Sequence, residues 1–353
     1  MPKSSASSAK RPRHAPYDKT ASSKASSTPS SIFKFNTHIG QHILKNPGIA
    51  DTIVGKAVLK PTDTVLEIGP GTGVLTTRIL DQAKNVIAVE LDPKMAAELT
   101  KRVQGTPKKD KLHIITGDFA KLDLAEVLPS FDVCISNTPY QISSIIVSKL
   151  LALPRPPRIC ILMVQREFGL RLSARAGDSL YSRLSVNTQF FSKVSQVAKV
   201  GRNNFTPPPD VESLVVRLEP RSDRPQIVWE EWDGMLRICF SRKNKTLRSS
   251  FGDFLDLCQR NWLTFTSLYP EKVGDEDRQF LQSAVDADDS KSDIHQTVCG
   301  IPVSKTTLRL LMRSKVDQVL ESTNLGEMRA ARCEENDFLR LLLAFHQCGI
   351  YFA

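Results

Sequence analysis

Asn137-Thr138-Pro139-Tyr140 is the stretch whose residue types can act on a flat ring bearing an amino group. The Asn137 side-chain oxygen and the Thr138 backbone carbonyl both accept hydrogens from an exocyclic NH2. Tyr140, two residues on and across Pro139, supplies a face to stack on. That pattern suits an adenine held while its amino group is methylated. Phe205 stands before Thr206-Pro207-Pro208-Pro209, an extended, stiff loop, and is expected to form a second wall for a base turned out of its strand.

The elements around this turn must position it. Residues 131–136 read as an apolar strand, and 141–153 as a helix. Upstream, 64–68 read as another strand, ending in Glu67 and then Gly69, Gly71 and Gly73 at alternate positions, with a helix expected over 74–84. A nicotinamide fingerprint needs Gly or Ala five places after its first glycine, where Val74 and Thr76 stand in the two possible registers. That class is excluded. An acid two residues before Gly-x-Gly-x-Gly matches the loop that S-adenosylmethionine enzymes use. Residues 85–92 form the next strand; Glu90 at its end can accept both hydroxyls of a ribose, while Asp92 caps the helix that starts at Pro93. Residues 112–116 follow, ending in Gly117-Asp118-Phe119, where Asp118 can accept from an adenine amine beside apolar Phe119. Glu67, Glu90, Asp118 and Asn137 therefore close successive strands at one rim, where open α/β sheets bind ligands. A fifth strand over 158–165 and a hairpin over 189–205 and 212–218 complete this part.

The chain has 353 residues, is 41% apolar and carries a formal charge of +10, which favours a polyanionic partner. Residues 1–30 hold six Lys or Arg and one acid, so +5 of that excess lies in a Ser-rich tail expected to be disordered. Lys10-Arg11-Pro12-Arg13 reads equally as a nuclear import patch or as a solvated basic run; Pro12 and Pro16 argue against a mitochondrial leader helix. No signal-peptide core or membrane-length apolar run appears. Seven scattered cysteines without a Cys-x-x-Cys pair point to a reducing compartment and to no metal site. Residues 220–225 break the pattern and mark a domain boundary, after which the signals are helical. Arg242, Lys243, Lys245 and Arg248 among Phe240, Leu247 and Phe251 suggest a helix with one buried and one RNA-binding face. Residues 271–293 read as a mobile acidic loop.

Together these stretches resemble the ribosomal small-subunit RNA adenine dimethyltransferase family, which includes the bacterial kasugamycin- and erythromycin-resistance methylases. The motifs from Glu67 to Thr76, Glu90, Gly117-Asp118-Phe119, Asn137 to Tyr140, and Phe205 with its proline loop occur in the family's order, as do Gln165, Glu167, Arg171, Tyr181 and Ser185. The resemblance implies that Gln41, His42 and Leu44 sit beside the methionine part of the cofactor and that Leu91 joins Glu90 in holding it. It implies a class I methyltransferase of α/β, Rossmann-like build, with a seven-stranded mostly parallel sheet and a smaller C-terminal α-helical domain. The expected division is a tail at 1–31, a methyltransferase domain at 32–220 and a helical RNA- or ribosome-binding domain at 221–353. Within the family the chain is most similar to the eukaryotic pre-ribosomal branch. That implies a monomeric, S-adenosylmethionine-dependent enzyme that dimethylates two adjacent adenosines near the 3′ end of 18S rRNA. It implies a pre-ribosomal particle as partner, a role in pre-rRNA processing, and residence in the nucleus and nucleolus. The alternatives are a particle-assembly factor whose binding outweighs its chemistry, and a relative of the mitochondrial transcription factor that uses this fold.

Overall fold

The computed structural model describes residues 42–223, 226–287 and 294–352. The basic tail and Gln41 lie outside these residues.

Seven strands make the central sheet: β1 (Thr64–Ile68), β2 (Asn85–Glu90), β3 (Leu112–Thr116), β4 (Val133–Asn137), β5 (Ile159–Gln165), β6 (Ser192–Val200) and β7 (Ser213–Pro220). Their spatial order is β3-β2-β1-β4-β5-β7-β6. The first five run parallel, and β7 is antiparallel to both β5 and β6. The fold is that of a class I methyltransferase. Strand order reverses between β1 and β4, so the connections leaving them part in opposite directions and open a crevice at their carboxyl ends.

The inner parallel strands read as near-continuous apolar runs because both faces of the sheet are covered there, whereas the edge strand β3 leaves His113 and Thr116 exposed. Successive residues point to opposite sides. Val65, Val133, Ile135, Ile161 and Met163 enter one core, with Ile53, Ile79 and Leu99 from the helices over that face. Leu66, Cys134, Leu162 and Val164 enter the other, with Ile146, Leu150 and Val186. That second core continues through Trp232 and Phe251 to Phe345, so the helical region shares apolar packing with the sheet. Phe190 and Trp232 stack with centroids 4.0 Å apart. Asp233, 7% exposed, accepts from both Arg183 Nη1 (2.5 and 2.6 Å) and Asn187 Nδ2 (2.5 Å).

Three expectations about secondary structure need correcting. Residues 189–191, expected in the hairpin, end the helix Arg183–Phe191, and β6 starts only at Ser192. The run 241–246, expected to be helical, is mostly turn between the helices Trp229–Cys239 and Leu247–Asp253. Residues 275–287 of the acidic stretch form the helix Asp275–Ala287 rather than a loop. Leu281 is fully buried there, and Asp277 pairs with Lys315 Nζ at 2.6 Å.

The glycine loop depends on one close approach. Gly73 has φ +82°, and a Cβ built on it would lie 2.5 Å from Leu99 Cδ1. Leu99 is fully buried and cannot yield freely. Gly73→Ala is therefore expected to destabilise the fold by about 1–3 kcal/mol. Thermal unfolding checks this, and an unchanged Tm would contradict the packing described.

Candidate active site

The carboxyl ends of β1 to β4 surround a cavity of about 280 Å³. Its wall contains Glu67, Gly69, Gly71, Glu90, Leu91, Asp118, Phe119, Asn137, Thr138, Pro139 and Tyr140, with His42 and Leu44 closing one side. Residues separated by most of the sheet region in sequence thus meet at the strand-order reversal. Gly73 lies outside the lining and acts through the turn of the loop.

Glu90 organises one wall. Its Oε2 accepts from the Gly71 N–H at 3.0 Å, and its Oε1 from the Asp92 N–H at 3.0 Å. The carboxylate therefore ties the glycine loop to the end of β2. Burial pushes its pKa upward, while the N–H groups of Asp92 and Gly71 pull it back. Each oxygen keeps a lone pair, which suits it to accept from a vicinal diol. Asp118 Oδ1 accepts from Ala120 N–H at 3.0 Å, and its Oδ2 is 4.0 Å from Lys121 Nζ.

Asn137 ends β4. Its Nδ2 donates to the His42 carbonyl at 3.0 Å. This bond fixes the orientation of the amide, which leaves Oδ1 as its acceptor and one Nδ2 hydrogen still to donate. Thr138 is held by its N–H to the Met163 carbonyl at 3.0 Å, and it is 2% exposed, so its hydroxyl is no surface group. The Tyr140 hydroxyl is 2.7 Å from Ser213 Oγ. Burial raises its pKa, and the Ser213 bond opposes that shift. The His42 ring flanks Tyr140 at 5.9 Å with 29° between planes, while its Nδ1 lies 2.9 Å from the Pro207 carbonyl. Because a carbonyl only accepts, His42 Nδ1 carries the hydrogen in this contact.

Ser213 and the Pro207 carbonyl are contacts that sequence reasoning missed. Ser213 lies 73 residues from Tyr140, and nothing local singles it out.

Phe205, expected as the second aromatic wall, is a correction. It is fully buried beneath Leu44 and Val200, and Phe205–Thr206 pairs with Ile43–Leu44. Its ring belongs to the apolar core instead of facing a base, and its strand pairs with the residues that follow His42. The basic cluster, expected to face RNA, is partly engaged within the chain. Arg248 bonds Asp317 and lies 3.3 Å from Glu327 Oε1 and 3.7 Å from Glu321 Oε1. Arg242 pairs with Asp253 and donates to Ser249 Oγ at 2.9 Å. Lys243 Nζ donates to the Ser179 carbonyl at 3.0 Å. Only Lys245 of this set stands exposed without a side-chain bond among the described residues. Carboxylates pair with Arg242 and Arg248 and tie the turn to neighbouring elements, while Lys243 and Lys245 have no carboxylate partner among the described residues.

A family model described as "Ribosomal RNA adenine dimethylase" matches residues 32–282. The chain belongs to this family. Within the ribosomal RNA adenine dimethylases it is 55% identical over 326 residues to a dimethyladenosine transferase of Saccharomyces cerevisiae, covering 92% of each chain. A dimethyladenosine transferase of Chaetomium thermophilum is 46% identical over 393 residues, with both chains fully covered. The crystal structure of a dimethyladenosine transferase from Plasmodium falciparum superposes with a TM-score of 0.70 at 37% identity, over 88% of this chain and all of that one. The 23S rRNA methyltransferase ErmE shares the fold, with a TM-score of 0.52 at 24% identity.

Proposed function

We propose that this protein is an S-adenosylmethionine-dependent rRNA adenine N6,N6-dimethyltransferase that acts on two adjacent adenosines near the 3′ end of 18S rRNA. The observation that carries the reading is a single cavity holding both the Glu90-braced glycine loop and the oriented acceptor of Asn137 beside Tyr140.

The residues fit such a donor. The lone pairs left on Glu90 match a ribose diol, and Asp118 offers an acceptor to a purine amine. Bound S-adenosylmethionine would supply an electrophilic methyl group on a sulfonium. An exocyclic adenine nitrogen is a poor nucleophile because its lone pair is delocalised into the ring. Asn137 Oδ1 and the Thr138 carbonyl would accept its two hydrogens and favour a pyramidal nitrogen. Tyr140, fixed through its hydroxyl by Ser213, would stack the extruded base. The amine becomes acidic once methylated, so positioning and electrostatics supply most of the rate. A singly methylated amine has one hydrogen left, so the second transfer needs only one of the two acceptors.

The partner in this reading is the pre-ribosomal particle, with the enzyme taking part in pre-rRNA processing. The basic tail supports residence in the nucleus and nucleolus. Purified protein incubated with labelled donor and immature small-subunit particles is expected to yield N6,N6-dimethyladenosine at two neighbouring sites of 18S rRNA, read by nucleoside mass spectrometry. Label confined to large-subunit RNA, or no label in RNA, would overturn the proposal.

A further inference from the structure

We infer that Glu67 matches the charge of the donor: it carries a proton until a cationic donor binds, releases that proton on binding, and thereby favours a charged donor over its neutral product. The inference rests on the donor assignment proposed above.

Glu67 lies on β1, 1% exposed, in the wall of the cavity. Neither carboxyl oxygen makes a hydrogen bond of good geometry, and neither does Thr76 Oγ1; the donors that act on the carboxyl are the Thr76 hydroxyl and N–H. The ionisable groups that act on Glu67 are a carboxylate, Glu90 on β2, and a thiol, Cys134 on β4. The helix Thr76–Leu80 offers it only the Thr76 hydroxyl and N–H. His42 and Asp118 face the same cavity from its other walls. An ionised carboxylate in this setting is desolvated with no cation against it, so the neutral acid is the stable form. Burial pushes its pKa up to about 8, Thr76 opposes the rise, and Glu90 adds to it.

A sulfonium donor changes that balance. It carries one more positive charge than its thioether product, and a positive charge in a low-dielectric cavity favours the carboxylate. The Glu67 O–H bond breaks, its proton goes to solvent, and carboxylate and cation are bound together. After methyl transfer the positive charge has left with the methylated amine. Glu67 then faces a neutral thioether and takes a proton back from solvent, while the amine gives one up. Over a turnover Glu67 returns to its starting state, and the product is held without charge attraction.

The test is calorimetric titration of the whole protein with S-adenosylmethionine and with S-adenosylhomocysteine, in buffers of different ionisation enthalpy. At pH 7 the donor is expected to release about 0.9 proton and the product close to none. The donor-to-product affinity ratio should rise by up to about tenfold per pH unit between pH 6 and 8, then level off. Glu67→Gln keeps the side-chain volume and should abolish both effects without lowering Tm. Donor binding without proton release, or release that persists in E67Q, would refute the inference. If neither ligand binds, the donor assignment itself fails and takes the inference with it.

Discussion

Replacing Asn137 with Ala is expected to lower methyl incorporation into RNA by about 10²–10³-fold at saturating donor, with donor affinity changed only a few-fold. The reason lies in the bond from Asn137 Nδ2 to the His42 carbonyl at 3.0 Å. It turns the amide so that the oxygen is left to accept from a substrate amine. Ala removes the acceptor and also leaves the His42 carbonyl without its donor. Asp is not expected to rescue activity, although it restores an acceptor of similar shape. A carboxylate cannot donate to the His42 carbonyl, and two acceptors would face each other there. Because the interaction strengthens as the nitrogen becomes pyramidal, the loss should appear in kcat more than in KM. Full turnover by the Ala variant, with rRNA as substrate, would remove Asn137 from the mechanism.

The rim of the sheet was legible because each of its strands announces itself twice. Val86-Ile87-Ala88-Val89 is an apolar run of the kind a doubly covered strand uses, and the polar Glu90 marks its carboxyl end. The same pairing of an apolar run with a polar stop marks β4 at Asn137, and the shorter, half-exposed β3 is marked mainly by its stop at Gly117-Asp118. Once the order of such strands is known, their ends converge by geometry. Phe205 was misread because a lone aromatic before a proline loop looks the same whether it faces a cavity or a core. Its burial comes from pairing with Ile43–Leu44, which lies about 160 residues away and leaves no trace near it. The partners of Arg248 were hidden for a related reason. A run of charges reports its own composition, while Asp317, Glu321 and Glu327 approach it from remote parts of the chain. The helix Asp275–Ala287 was hidden by its acids, although the burial of Leu281 and the Asp277–Lys315 pair hold it in place.

Glu90 and Glu67 both line the cavity as buried carboxyl groups, but their partners set them to different tasks. Glu67 makes no hydrogen bond of good geometry, and its work is electrostatic. Glu90 already accepts two backbone N–H groups, and its work is geometric. Glu90→Gln is therefore expected to weaken binding of donor and neutral product alike by about 10²-fold, since charge-assisted hydrogen bonds to a diol are worth about 1.5–3 kcal/mol each. The amide is not a conservative replacement. One end of Gln would place an NH2 against the N–H of either Gly71 or Asp92, loosening the glycine loop as well as removing an acceptor. Glu90→Ala should weaken both ligands further, because both N–H groups lose their partner. Calorimetry with the two ligands, alongside thermal unfolding to confirm the fold, distinguishes this role from that of Glu67. Equal losses for the charged donor and the neutral product are the mark of diol recognition. A loss confined to the donor would mean that Glu90 acts by charge, and unchanged affinity for both would take it out of the binding site.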